Sequence, residues 1–144
     1  MTGEVNFSSF LTMNRKVCKY SIIRFQPYAD NGEFANIGIV LYVPTSQRLV
    51  YKILRPNQHE RITDFFKPMN KDFFSNTIQM VQAELERIKN LLEQSAPIQV
   101  DLYNELIRPR EDIIRYSENR VIVSTDTQKT VDFAKLCQLC DMEI

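Results

Sequence analysis

The segment that most constrains the fold is a run without charged side chains over residues 37–43. Successive side chains of a β-strand point to opposite faces of the sheet. One face of this run carries Ile37, Ile39, Leu41 and Val43, and the other carries Gly38, Val40 and Tyr42. A strand that is apolar on both faces is typical of the buried centre of a sheet. The run therefore predicts a central strand.

Two further strands are predicted around it, over residues 17–25 and 49–54. A loop that contains the turn dipeptide Asn31-Gly32 separates the first strand from the central one. A short turn at residues 44–46 separates the central strand from the third. Because that turn is so short, the second and third strands are predicted to form an antiparallel hairpin.

A stripe of apolar residues between positions 74 and 92 recurs at spacings of four and three, as on one face of a helix of about six turns. The stripe consists of Phe74, Ile78, Val81, Leu85, Ile88 and Leu92. Asn70 stands where it can cap this helix. The spacing also suits a coiled coil, but the stripe is short for one, so packing against a sheet is favoured.

The remaining segments complete the order βββααββα. They are a short helix over residues 59–66, strands over residues 113–116 and 120–124, and a last helix from residue 125 to about residue 140. Residues 98–107 show no clear period. The order predicts an α+β fold, in which a mainly antiparallel sheet of three to five strands carries helices packed on one face. We expect a loose lead-in over residues 1–15 and a single domain over residues 16–144.

Composition argues against several classes of protein. The chain has 144 residues, with 18 Lys and Arg against 18 Asp and Glu, so its net charge is zero. Sequence-independent nucleic-acid binding needs a basic excess, so we do not expect it. The N-terminus lacks the apolar core of a signal peptide, and the longest apolar run is far below the ~20 residues of a membrane helix. Three cysteines are too few for a disulfide framework, which predicts a reducing cytoplasm.

Metal and catalytic motifs are also missing from the sequence. The chain has one histidine, and it lacks a nucleophile elbow, a Gly-rich phosphate loop and an EF-hand loop. Cys137 and Cys140 form a C-x-x-C pair, which suits half a zinc site or a redox pair. On a helix the two thiols continue an apolar stripe with Phe133 and Leu136, which favours a core role. We predict no metal site and no cofactor.

A first polar cluster surrounds the start of the central strand. Arg24 lies near the end of the first strand, and Glu33, Asn36 and Gly38 lie at the start of the second, so all four are expected at one end of the sheet. The structural interpretation is a loop held by an Arg24–Glu33 ion pair and by a bond from Asn36 to the backbone. The functional interpretation is a polar binding pocket at the strand end. The structural one is favoured, because most such pairs are structural.

A second polar cluster lies between positions 105 and 120. Its arginines are Arg108, Arg110, Arg115 and Arg120, and its acidic residues are Glu105, Glu111, Asp112 and Glu118. Four positive and four negative charges favour a self-neutralised, solvated face over an anion site. Arg110 and Glu111 are kept as candidate binding residues, since Arg–carboxylate pairs also position loops and partners.

Four phenylalanines crowd the segment around Pro68: Phe65, Phe66, Phe73 and Phe74. Core packing is the favoured interpretation, but four rings on two short turns do not all face inward easily. A patch that binds a protein partner is the alternative.

Three motifs resemble those of the bacterial domain-of-unknown-function family 3037. They are YSIIRF at residues 20–25, GEFANIGIVL at residues 32–41, and RPRE at residues 108–111. The resemblance covers residues 17–140 and implies a small cytoplasmic bacterial protein encoded beside a HipA-like kinase. It implies no activity. The motif positions that it carries over are Arg24, Glu33, Asn36, Gly38, Arg110 and Glu111.

Three hypotheses follow for the function. The leading one is a non-enzymatic interaction module, an accessory or regulatory partner of a HipA-like kinase in a toxin–antitoxin or phage-defence locus. The second is a small phosphate- or nucleotide-binding enzyme, which requires Arg24 and Arg110 to converge in one pocket. The third is a homo-oligomeric scaffold.

Overall fold

The structure is a computed structural model that describes residues 15–28, 30–67, 69–94, 101–110, 112–125 and 129–132. Within these ranges the chain forms a five-stranded antiparallel sheet with helices packed against it. The predicted α+β class is therefore confirmed. The predicted lead-in lies outside the described residues, apart from Arg15.

The centre of the sheet is built from β1 (Lys16–Phe25), β2 (Ala35–Val43) and β3 (Arg48–Ile53). Strand β2 lies between the other two and pairs antiparallel with both. All of its residues except Asn36 and Tyr42 are buried. Both the central strand and the β2–β3 hairpin are confirmed.

Two short strands share the other side of β1. Strand β4 (Ile114–Tyr116) pairs with residues 23–25, and β5 (Arg120–Ser124) pairs with residues 16–20. Residues 117–119, which connect β4 to β5, are not part of a strand. The sheet order is therefore β3-β2-β1, followed by β4 and β5 end to end along β1.

Between β3 and β4 the described chain forms three helices: α1 (His59–Phe65), α2 (Lys71–Glu93) and α3 (Leu102–Ile107). A 3-10 turn over Pro56–Gln58 precedes α1. The Asn70 side chain accepts hydrogen bonds from the backbone N–H groups of Asp72 and Phe73 at 2.8 and 3.3 Å, which confirms the predicted cap. Helix α3 was not predicted. Asp101 caps its start, and the Asp101 side chain accepts a hydrogen bond from the backbone N–H of Asn104.

The main core lies between α1–α3 and one face of the sheet, which we call the helix face. All six residues of the predicted α2 stripe are buried there, together with Ile23 and Phe25 of β1 and Ile53 of β3. Each such side chain contributes roughly 1.5–3 kcal/mol on burial. The stripe thus packs on the sheet and not in a coiled coil.

A second, smaller core lies on the opposite face, which we call the open face. It contains Cys18, Ile22, Ile39, Leu41, Val43, Val50 and Val131. Residues 129–132 are helical, and Val131 is fully buried on this face, whereas α1–α3 all lie on the other. The rest of the predicted last helix, with Cys137 and Cys140, lies outside the described residues.

A β-bulge in β2 changes the predicted face of one residue. Ile23 pairs with Gly38 and Arg24 pairs with Asn36, so Ile37 is an extra residue in β2. Because an extra residue shifts the alternation by one, Ile37 packs in the helix-face core, whereas Ile39 lies in the open-face core. The prediction that Ile37 shares a face with Ile39 is therefore wrong.

Candidate functional site

Arg24 lies on the open face of the sheet. Its neighbours Ile23 and Phe25 both point into the helix-face core, so the side chain between them points the other way. Its guanidinium lies 4.6 Å from the centre of the Phe34 ring, a cation–π contact. Burial and the charge of Arg120 lower the pKa of Arg24, and Glu118 opposes that shift.

Glu33 does not form the expected pair with Arg24. Both residues are described, and no ion pair joins them. Glu33 is exposed, and its backbone N–H donates to the Asn31 side chain at 2.9 Å. The loop therefore bends around an Asn31 side-chain turn and Gly32, whose φ of 70° suits glycine.

Asn36 and Gly38 take different places at the start of β2. Asn36 is partly buried and lies opposite Arg24 across the strand pair. Gly38 lies between Ile23 and Ile53, and a Cβ there would overlap the backbone carbonyl of Lys52. The close approach of β3 accounts for glycine at position 38 without any ligand.

Arg110 belongs to the opposite side of the sheet. It lines a groove together with Val81 and Leu106, which are buried in the helix-face core. Its guanidinium donates to the backbone carbonyl of Glu105 at 2.7 Å. The described residues therefore place Arg24 and Arg110 on opposite faces, and the two do not share a pocket. Glu111 lies outside the described residues.

The groove that contains Arg110 is a cavity of about 410 Å³ between α2, α3 and β4, and we call it the α2–β4 groove. It is lined by Phe73, Thr77, Met80, Val81, Glu84, Leu106, Arg108, Arg110, Asp112, Ile113, Ile114 and Tyr116. Two apolar side chains stay exposed beside it, Phe73 at 42% and Met80 at 72%. Arg108 pairs with Glu105 at 3.8 Å and Glu84 pairs with Arg87 at 2.9 Å.

Tyr116 is the most strongly perturbed side chain in the α2–β4 groove. Burial raises the pKa of its hydroxyl well above the usual range, and the nearby charge of Glu84 adds to that rise. Arg110 acts in the opposite direction. The hydroxyl therefore stays protonated to a higher pH than that of an unperturbed tyrosine.

The four phenylalanines around position 68 divide into two pairs. Phe66 and Phe74 are buried, and both make edge-to-face contacts with Phe25, at 5.5 and 4.9 Å between ring centres. Phe65 and Phe73 are exposed. The core interpretation fits the first pair, and only the second pair is free to contact a partner.

Other chemistry-bearing groups are sparse in the part of the chain that the structure describes. No three His, Cys, Asp or Glu side chains gather there as metal ligands. Cys18 is a buried free thiol whose pKa is raised by burial. No helix among these residues has the length and apolar character needed to cross a bilayer.

This geometry defines an α+β domain with an antiparallel five-stranded sheet, an apolar groove on the helix face and Arg24 on the open face. Residues 20–139 match the family described as Protein of unknown function (DUF3037), and the chain belongs to that family. No curated protein and no solved structure matches the chain.

Sequence reasoning missed Phe34, Met80 and Tyr116 as members of these surfaces. Met80 and Phe73 are seven residues apart, so on a helix they form a second stripe beside the buried one. That spacing is a signal that could have identified the groove. The roles of Phe34 and Tyr116 depend on strand register, for which the sequence carries no comparable signal.

Proposed function

We propose that the protein is a non-enzymatic interaction module of the cytoplasm, an accessory or regulatory partner of a HipA-like kinase in a toxin–antitoxin or phage-defence locus. The family resemblance of its motifs supplies the kind of partner. The α2–β4 groove supplies the surface for contact. The two lines of support are independent, since the groove is defined by the structure and not by the resemblance.

The observation that carries the proposal is the exposure of Phe73 and Met80 beside the groove. Large apolar side chains grouped next to a cavity with an apolar floor gain free energy when a partner covers them. Arg108 and Arg110 flank the same cavity. Aromatic, Met and Arg side chains are the types enriched at protein interfaces.

The test is affinity purification of the tagged protein from its native host, with mass spectrometry of what is retained. The expected result is a HipA-like kinase in stoichiometric amount. Absence of the kinase, while both proteins are folded and expressed, would overturn the proposal.

A matched pair of variants locates the contact. Met80→Glu places a charge at the groove and is expected to abolish retention of the kinase. Gln82→Glu adds the same charge at an exposed position of α2 outside the groove and is expected to leave retention unchanged. Equal retention by both variants would exclude the α2–β4 groove as the contact surface.

A homo-oligomeric scaffold is the second candidate, favoured by the surface around β5. Val17, Val121 and Val123 are all exposed on one face of the β1–β5 pair, and of the described strands β5 pairs only with β1. Apolar edge strands pair readily with another chain. Light scattering of the wild type and of Val121→Lys tests this candidate. The wild type is expected to form an oligomer, and the substitution is expected to dissociate it.

A further inference from the structure

The register of the sheet gathers three arginines on the open face, and we call them the arginine triad. Arg24 of β1 lies opposite Arg115 of β4. Arg120 of β5 lies opposite Tyr20, which packs on the open-face core four residues before Arg24. Residues that are paired across antiparallel strands point to the same face. Arg115 and Arg120 therefore share the open face with Arg24, and not the helix face with Arg110.

The charges of the triad are poorly compensated within the described residues. None of the three guanidinium groups forms an ion pair there. Arg115 donates from Nε to the uncharged backbone carbonyl of Asp112 at 3.1 Å, and Nε of Arg24 is buried without a hydrogen-bond partner. Glu118 is the acidic side chain whose field reaches Arg24.

Directly opposed like charges destabilise a pair of strands. Arg24 and Arg115 are opposed in register, and repulsion by the charge of Arg120 helps to lower the pKa of Arg24. An anion bound on the open face would offset the repulsion between these positive charges.

Arg24 is also held in place before any ligand binds. Its guanidinium stacks on the Phe34 ring at 4.6 Å, and its side chain is partly buried. A group that is already ordered loses less conformational entropy on binding. The planar fork of a guanidinium also matches the oxygen spacing of a phosphate.

We propose that the arginine triad, with Phe34 as the support of Arg24, is a binding site for a phosphate monoester. The site is separate from the α2–β4 groove, because the sheet lies between the two. Its occupancy does not depend on the proposed kinase contact, and the two proposals can fail independently.

Calorimetric titration of the full chain with inorganic phosphate and with pyrophosphate tests the site. We expect saturable binding that is stronger at pH about 8 than at pH about 5, because both probes carry more negative charge at the higher pH. Arg115→Gln and Arg120→Gln are each expected to weaken binding by about tenfold or more. Arg120 is exposed, so its variant keeps the test valid if Arg115→Gln fails to fold.

The matched control is Arg61→Gln, which removes one positive charge at an exposed position of α1 on the helix face and is expected to leave phosphate affinity unchanged. An equal loss in all three variants would show a net-charge effect and overturn the site. No binding to the wild type at millimolar phosphate would overturn it as well. Titration with phosphoserine and with a nucleoside monophosphate then distinguishes a phosphorylated side chain from a nucleotide as the source.

Discussion

Ile22 and Ser117 are joined by a side chain where the strand pairing of β1 is interrupted. The Ile22 N–H donates to Ser117 Oγ at 2.8 Å, and the Ser117 N–H donates to the Ile22 carbonyl at 2.9 Å. Ser21 Oγ in turn donates to the Ser117 carbonyl at 2.6 Å. The two hydroxyl groups therefore satisfy the buried backbone between β4 and β5, where the ladder itself is broken.

Ser117→Ala is expected to lower the free energy of unfolding by about 1–3 kcal/mol, because the Ile22 N–H would be left buried without an acceptor. Urea denaturation with circular dichroism measures this change. Thr77→Ala is the control, since its hydroxyl donates only to Phe73 O within its own helix. An equally large loss of unfolding free energy in Thr77→Ala would contradict the role of the Ser117 hydroxyl as the acceptor for the Ile22 N–H.

Gly38→Ala is expected to destabilise the sheet, because the added Cβ would overlap the Lys52 carbonyl of the neighbouring strand. Overpacking of this kind costs about 1–3 kcal/mol, and a rigid backbone neighbour puts the loss at the upper end. A Cβ added at Gly32 would meet no atom within 4 Å, but the φ of 70° at this position costs alanine about 1–2 kcal/mol. The melting temperature of Gly38→Ala should therefore be lower than that of Gly32→Ala. The reverse order would contradict the close approach of β3 to Gly38.

Much of the fold could be predicted because local patterns determine it. The α2 stripe specifies a buried helix face by its spacing alone, and Asn70 marks the start of that helix. The alternation in β1 and the short turn after β2 specify an antiparallel arrangement. In each case the signal lies within one turn or one strand of the element that it specifies.

The remainder depends on contacts between distant segments. One extra residue at Ile37 reverses its face, and no local pattern announces such a bulge. Arg110 and Arg115 are close in sequence, yet they lie on opposite faces of the sheet. Arg115 lies on the open face as part of β4, and Arg110, in the preceding loop, lies on the helix face. Two polar clusters were predicted, and strand register separates Arg115 from Arg110 within the second one.

Gln47→Gly is expected to stabilise the β2–β3 hairpin. Gln47 has a φ of 51°, a conformation that costs a non-glycine residue about 1–2 kcal/mol. Glycine removes that cost but adds about 0.5–1 kcal/mol of unfolded-state entropy, so a net gain of about 0.5–1 kcal/mol remains. Thermal unfolding measures it, with Ser46→Gly as the control in the same turn. An unchanged or lower melting temperature for Gln47→Gly would contradict the strain at this residue.

The Tyr51–Glu86 hydrogen bond predicts a loss of stability at alkaline pH. Tyr51 Oη of β3 donates to Glu86 Oε2 of α2 at 2.6 Å, and burial together with this bond raises the pKa of Tyr51 to about 12. The unfolded value is about 10, so the folded state holds the proton more tightly. Stability from this bond is therefore fully present below pH about 10 and is lost as the pH rises toward about 12.

Tyr51→Phe isolates this effect, because every other titrating group is common to both proteins. Near neutral pH the variant is expected to unfold about 1 kcal/mol more easily than the wild type. The difference should shrink above pH about 10, where the wild type alone loses the bond. Glu86→Gln removes the negative charge and is expected to shift the tyrosinate absorbance transition of Tyr51 to lower pH. A difference between wild type and Tyr51→Phe that stays constant across the alkaline range would show that Tyr51 does not donate to Glu86.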